Sequence, residues 1–238
     1  NDGTSSGMTS ANLVLSDLTR SLPYDSYSFN FDAASSDYID CGALSQIGSS
    51  SSFTINLWAK SDSSTGFFTL LGIRQSTTDR ILVFNAGSAN KLWFAIQNGI
   101  NDYIETTHSL STTEWEMITL TYDGSLSAGS RASVYINGSS ISVTQPNLPT
   151  SVSANMGTSS LYIGLQQGTS GYYDGKLSNI SLFNETLTST EVLKLYSNGM
   201  PQDLSSFSPA PVAWWTLGSN SFFNGTNYIC RDLIGSND

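Results

Sequence analysis

Glycosidic hydrolysis needs two carboxyl groups about 5–9.5 Å apart. The nearest approach in this chain is Glu114-Trp-Glu116, at the start of a strand pattern. Nothing else of a catalytic set accompanies it, and the two glutamates read as a solvated strand end. The single histidine, His108, has no Ser or Cys signature near it to support a nucleophile and reads as a surface residue. No Cys/His cluster suits zinc, and no glycine loop suits phosphate. The sequence therefore points away from an enzyme. Calcium needs about six to eight oxygens, several from carboxylates and backbone carbonyls. Asp32, Asp37, Asp123 and Asp174 sit at loops or strand ends and could contribute, although such aspartates also serve as ordinary turn residues. Glycan binding calls for exposed rings beside amides and carboxylates. The loop 166–174 offers Gln166, Tyr172, Tyr173 and Asp174 for that purpose. The competing reading buries Tyr173 in the core and leaves Tyr172 at an edge.

The elements that would position these groups are β-strands. Residues 114–143 read as three consecutive strands. Met117, Thr119 and Thr121 alternate with Ile118, Leu120 and Tyr122, so both faces of that strand are expected to be covered. Asn137-Gly138 tolerates the positive φ angles of a type I′ hairpin turn. Further strand patterns span 27–31, 37–41, 52–60, 67–73, 80–85, 91–97, 102–107, 140–144, 160–165 and 174–184. Trp58, Trp93 and Trp115 lie in alternating patterns that predict core positions. Residues 1–25 show little pattern beyond Leu13-Val-Leu15, and 1–7 read as a loop. One helix is expected near 188–198. Thr188 and Glu191 form a capping box, Leu187 and Val192 a hydrophobic staple, and Gly199 ends it. Residues 200–210 read as a linker, 211–217 as a strand, and 218–238 as loop-rich sequence.

Length and charge bound the class. A chain of 238 residues can bury one full core. Nine basic residues against nineteen acidic ones give a net charge of −10, which disfavours nucleic acid and anionic membranes as partners. No apolar run approaches the roughly 20 residues that span a bilayer. The chain opens on Asn1, which suggests a processed chain or a fragment. Weak charge and abundant Ser, Thr, Gly and Asn suit an extracellular, cell-surface or virion-surface protein. There Cys41 and Cys230 could form a disulfide, or both could be buried free thiols. Sequons occur at Asn137, Asn179, Asn184 and Asn224.

Several of these stretches also carry a family resemblance. They are Tyr27-Ser-Phe-Asn-Phe-Asp32 with Asp37-Tyr-Ile-Asp40, Phe53-Thr-Ile-Asn-Leu-Trp-Ala-Lys60, the strand ending Tyr122-Asp-Gly124, and the strand ending Tyr135-Ile-Asn-Gly138. Leu161-Tyr-Ile-Gly164 and Tyr173-Asp-Gly-Lys-Leu177 follow in order. Over roughly 26–199 the set resembles laminin-G-like domains of the concanavalin A-like lectin and glucanase superfamily. The resemblance implies an all-β fold, a two-sheet antiparallel jelly-roll sandwich with one short helix. It also implies a calcium held by an acidic pair on the closing strand. Here Ser178-Asn179 replaces that pair, so the metal set would be Asp32, Asp37 and Asn179 with reduced charge. The Glu-x-Asp-x-Glu run of the related glucanases is missing.

In the resembled family a strand like Val212-Ala-Trp-Trp-Thr-Leu217 usually comes first, whereas here it comes near the end. Residues 1–199 then form a jelly roll lacking its first strand, 200–210 a linker, and 211–238 a segment that completes the same sheet or a neighbour's. This order implies a non-catalytic structural or adhesive module. Copies would join head-to-tail into a fibre, with Val212, Trp214, Trp215 and Leu217 as the assembly strand and Cys230 near the next unit's Cys41. The alternative is a lectin-like domain that binds glycan with calcium.

Overall fold

The computed structural model describes residues 2–15, 27–87, 89–168 and 171–235. Asn1, the stretch 16–26, Ser88, two residues of the loop 166–174, and 236–238 lie outside the described residues. Two antiparallel sheets face each other, as the alternation requires. The first holds β1 (Gly3–Ser6), β4 (Tyr38–Ala43), β6 (Phe68–Arg74), β7 (Asp79–Ala86), β8 (Lys91–Asn98), β9 (Ile104–Thr106), β13 (Val143–Thr144), β14 (Ser160–Ile163), β17 (Phe222–Phe223) and β18 (Tyr228–Cys230). Their order is β13-β9-β8-β7-β6-β14-β4-β1-β18-β17. The second holds β2 (Leu13–Leu15), β3 (Tyr27–Phe31), β5 (Ser52–Ser61), β10 (Glu116–Asp123), β11 (Ala132–Ile136), β12 (Ser139–Ile141), β15 (Gly175–Phe183) and β16 (Ala213–Trp215). It runs β12-β11-β10-β5-β15-β3-β2, with β16 also paired to β15.

The core lies between the sheets. Ile118, Leu120 and Tyr122 enter it from β10, and Ile39, Ile81, Phe94 and Ile163 enter it from the first sheet. Met117, on the other face of β10, joins a second apolar layer with Trp58, Val192, Leu195, Leu204 and Trp214. The helix α1 (Ser189–Tyr196) covers that layer. Thr188 and Glu191 close the expected capping box, and Tyr196 stacks on Trp58 at 5.8 Å. The helix ends at Tyr196, earlier than Gly199, because Ser197 and Asn198 already adopt left-handed angles. Residues 200–210 form no helix or strand, yet Leu204 is buried and Phe207 packs on Phe183. This stretch acts as cover for the second sheet.

The strand expected at 211–217 lies on its own chain. Ala213 pairs with Leu182 and Trp215 with Ile180 of β15. Trp215 points into the main core and Trp214 into the helix-side layer, and both are buried. Val212 packs against the core and Leu217 is buried within it.

Several expectations are corrected. Residues 3–6 form β1, between β4 and β18, although 1–7 read as a loop. Its small side chains hide the pattern: a Cβ on Gly3 would come within 2.6 Å of Ile39 and 3.1 Å of the Cys41 sulfur. The tail expected to be loop-rich contributes β17 and β18. The 140–144 strand is broken in two, because Val143 crosses to pair with Thr106 in the other sheet. Trp58 is core, but Trp93 and Trp115 are only half-buried, Trp93 on the outer face of the first sheet and Trp115 beside the helix-side layer. Cys41 and Cys230 are buried free thiols. They lie on the two strands flanking β1, and two strand spacings of about 4.8 Å exceed the roughly 7 Å limit for bridging Cα atoms. Burial pushes both thiols above the ordinary range, that of Cys230 to about 12. Among the sequons, Asn179 is buried and Asn137 accepts from the Met117 amide at its hairpin turn, while Asn184 and Asn224 are exposed.

Truncating Trp215 removes a large side chain from a closed core. Trp215→Ala is expected to lose about 3–5 kcal/mol in urea unfolding, and Trp115→Ala distinctly less.

Candidate functional site

A two-sheet sandwich has two outer faces, and here α1 and residues 200–210 cover that of the second sheet. The outer face of the first sheet carries the polar and aromatic groups. Alternation sends Ile39, Leu161 and Ile163 inward and Tyr38, Asp40 and Tyr162 outward. Tyr162 lies opposite both Gly72 and Asp40.

A loop folds across this face. It leaves β14 at Gly164, whose amide donates to Leu70, and returns at Tyr173, whose amide donates to the Gly164 carbonyl at 2.8 Å. Gly72 lets the loop lie close, because a Cβ there would meet the Leu165 carbonyl at 3.1 Å. Gly171 rests on the ring of Phe67, which a Cβ would strike at 2.4 Å. At the loop's return Tyr172 turns outward and Tyr173 inward. Tyr173 is fully buried against Phe31 and Phe68, and burial holds its hydroxyl far above the usual range.

Tyr172 therefore meets Tyr38, which in turn meets Tyr162, two rings that the sequence did not single out. Tyr38 lies 5.7 Å from Tyr162 and 6.4 Å from Tyr172, centroid to centroid, and all three rings are half-buried. Ser160 and Asp40 lie beside the Tyr162 hydroxyl. Burial, then the Asp40 charge, raises the Tyr162 pKa. The result is an aromatic shelf with a carboxylate beside it. The signal that could have found it is Leu161-Tyr-Ile163, where a tyrosine between inward aliphatics must face out. Farther across the sheet, Trp93 and Tyr103 pack with Phe84 as a second aromatic group.

The other members of the expected glycan set are not presented with Tyr172. Gln166 is buried beneath the loop. Asp174 lies at the loop's far end, with its carboxylate beside the Ala33 backbone. Burial, with the charges of Asp62 and Asp32, raises its pKa.

The expected metal set splits: Asp32 and Asp37 adjoin, and Asn179 stands apart from them. Asp32 accepts from the Ala34 amide at 2.8 Å and the Ser35 hydroxyl at 2.9 Å, which lowers its pKa. Asp37 is fully buried, and one oxygen accepts from Asn12 at 2.6 Å and the Asp32 amide at 3.0 Å. Asn179 sits in a bulge of β15. It is four residues, about 13 Å, beyond Gly175, which pairs with Phe31 next to Asp32. Asp123 accepts from the Ser125 amide and hydroxyl as a turn residue. Among the described residues no three His, Cys, Asp or Glu side chains gather to hold a metal. Asn179 is thus too far to share a calcium with Asp32 and Asp37.

Glu114 is exposed as expected, but Glu116 is buried. Its carboxylate accepts from the Ser111 amide at 2.8 Å and meets His108 Nε2 at 2.9 Å. This is a fastening between a loop and the start of β10, formed by residues that read as separate surface groups.

A family model described as the concanavalin A-like lectin/glucanases superfamily matches residues 33–193. The chain belongs to that superfamily. No curated protein sequence matches it. Among solved structures, this superfamily member is similar to domain 4 of AbnA, a GH43 extracellular arabinanase from Geobacillus stearothermophilus, in complex with arabinotriose. The identity is 17%, over 77% of this chain and 80% of that one, with a TM-score of 0.59. A putative carbohydrate binding protein from Bacteroides ovatus is 20% identical over 87% of this chain and 55% of that one, TM-score 0.64. A heptameric SAP-like pentraxin from Limulus polyphemus is 16% identical over 82% and 85%, TM-score 0.51. At these identities the likeness shows the fold. No helix among the described residues is long and apolar enough to cross a membrane.

Burial raises the Asp37 pKa above 3.8, so ionisation opposes folding. Stability from this group is present below the unfolded pKa and is lost as pH rises through the folded one. Asp37→Asn removes that dependence. Denaturant melts should show wild type gaining on the variant as pH falls from 7 toward 4.

Proposed function

We propose that this chain is a non-catalytic carbohydrate-binding module that holds glycan on the outer face of its first sheet. The observation that carries the reading is the shelf of Tyr38, Tyr162 and Tyr172. A tyrosine ring has an electron-rich face and a polar tip. It can stack under the C–H face of a sugar while its hydroxyl, with Asp40, takes sugar hydroxyls. The neighbouring folds support the reading by their printed ligands: one is a complex with arabinotriose, and another is described as a carbohydrate binding protein. An extracellular or surface setting suits such a module, as the arabinanase neighbour is itself extracellular.

The engaged carboxylate of Glu116 and the exposed Glu114 favour binding over hydrolysis. The strand 213–215 is seated on its own β15, which favours a self-contained module over one that donates this strand to a neighbour. Titration of the whole chain with a panel of soluble polysaccharides tests the proposal. Tyr172→Ala and Tyr38→Ala should each weaken binding at least tenfold with the fold retained by circular dichroism. Binding that is unchanged in both variants would reject the shelf. Chelation by EDTA is expected to leave the affinity unchanged, because the tyrosine shelf uses none of Asp32, Asp37 and Asn179.

A further inference from the structure

We propose that the glycan held on this face is anionic, and that Arg74 receives its carboxylate or sulfate. This inference rests on the binding reading above and adds the ligand's charge. Arg74 and Arg80 are direct partners in the β6–β7 register, and their guanidiniums turn apart, Arg80 toward Gln97 on β8 and Arg74 toward Gln167 in the loop. Acidic residues outnumber basic ones by nineteen to nine, yet among the described residues neither arginine forms an ion pair.

Arg80 is buried and is answered by neutral groups only. Its Nε donates to Gln97 at 2.7 Å, and its Nη2 donates to Asn101 at 2.9 Å and to the Tyr103 hydroxyl at 2.6 Å. It is therefore fixed in place. Arg74 is half-buried and is held by two backbone carbonyls, Ser76 at 3.3 Å from Nε and Gln167 at 2.7 Å from Nη1. Its Nη2 makes no hydrogen bond among the described residues. A cavity of about 350 Å³ opens there, lined by Arg74, Gln75, Ser76, Gln167 and Gly168. A pre-oriented guanidinium with a free edge is suited to a planar or tetrahedral oxyanion.

The position suits the tyrosine shelf. Arg74 is two residues along β6 from Gly72, which faces Tyr162. Diagonal neighbours of this kind lie about 7–8 Å apart. An oligosaccharide with one sugar at Tyr162 can thus direct an exocyclic acid group toward the cavity, while its neighbouring sugars lie along Tyr38 and Tyr172. The chain's net charge of −10 opposes long polyanions, so the geometry points to local reading of single acid groups.

The test uses the full chain, titrated with oligosaccharides of polygalacturonate, of a sulfated galactan, and of neutral arabinan and galactan. Wild type should bind at least one acidic series tenfold or more tightly than the neutral ones, and the two acidic arms show whether carboxylate or sulfate is read. Arg74→Gln should erase the preference. Gln167→Glu should do the same by placing a negative charge in the cavity from an exposed side chain, leaving the Gln167 carbonyl for Arg74. Tyr172→Ala should weaken every series it binds. Equal binding of acidic and neutral series, or a preference surviving Gln167→Glu in a folded variant, overturns the inference. Sodium sulfate and sodium acetate alone, followed at the Arg74 guanidinium ¹⁵N signals, separate it from the binding reading. A response there with no glycan bound counts against the glycan shelf but for the anion subsite, and no response to either salt counts against the subsite.

Discussion

Trp214 and Trp215 are adjacent in the chain and tie the three layers of the molecule together. Strand alternation sends Trp215 into the core between the sheets and Trp214 into the layer beneath the helix. Both depend on β16 lying along β15. On its other side, the Trp214 carbonyl accepts from the Leu233 amide at 2.9 Å, and the Trp214 amide donates to Asp232 at 2.9 Å. One short strand thus fastens the C-terminal segment and closes both apolar layers. With the helix side sealed, the polar and aromatic groups of the molecule face outward from the other sheet.

That outer face is arranged by backbone first. Gly72 and Gly171 let the loop after β14 lie flat, and Gly164 and Tyr173 pin its base. The loop then separates two groups of rings: the Tyr38, Tyr162 and Tyr172 shelf, and the Trp93, Tyr103 and Phe84 cluster beside Arg80. Arg74 stands at the loop's tip, bound to the Gln167 carbonyl. Tyr38, Tyr162 and Arg74 on this surface have positions set by strand pairing, which is stiffer than a free loop.

Much of the sandwich was legible because alternation is a strong signal where one face is aliphatic. The hairpin at Asn137-Gly138, the capping box at Thr188 and the strands from 27 to 184 all carry local chemistry that admits few alternatives. Strand β1 escaped because Gly, Thr and Ser in a tight row give no apolar alternation. The helix end was misplaced because Ser197 and Asn198 took up left-handed angles before the glycine did. Tyr172 was legible as a surface ring, but Tyr38 and Tyr162 were read only as strand residues. Bringing them together requires the β4–β14 pairing, which joins residues more than 120 positions apart. The facing arginines, and the His108–Glu116 contact, likewise emerge only from register and loop path.

The central claim is that the free face of the first sheet is the binding surface. The most direct measurement is chemical-shift mapping of the whole chain as a bound oligosaccharide is added. The account predicts that perturbed amides concentrate in 38–40, 72–76, 160–163 and 165–173. Perturbations concentrated around α1, or along the β17 edge at Phe222 and Phe223, would contradict it.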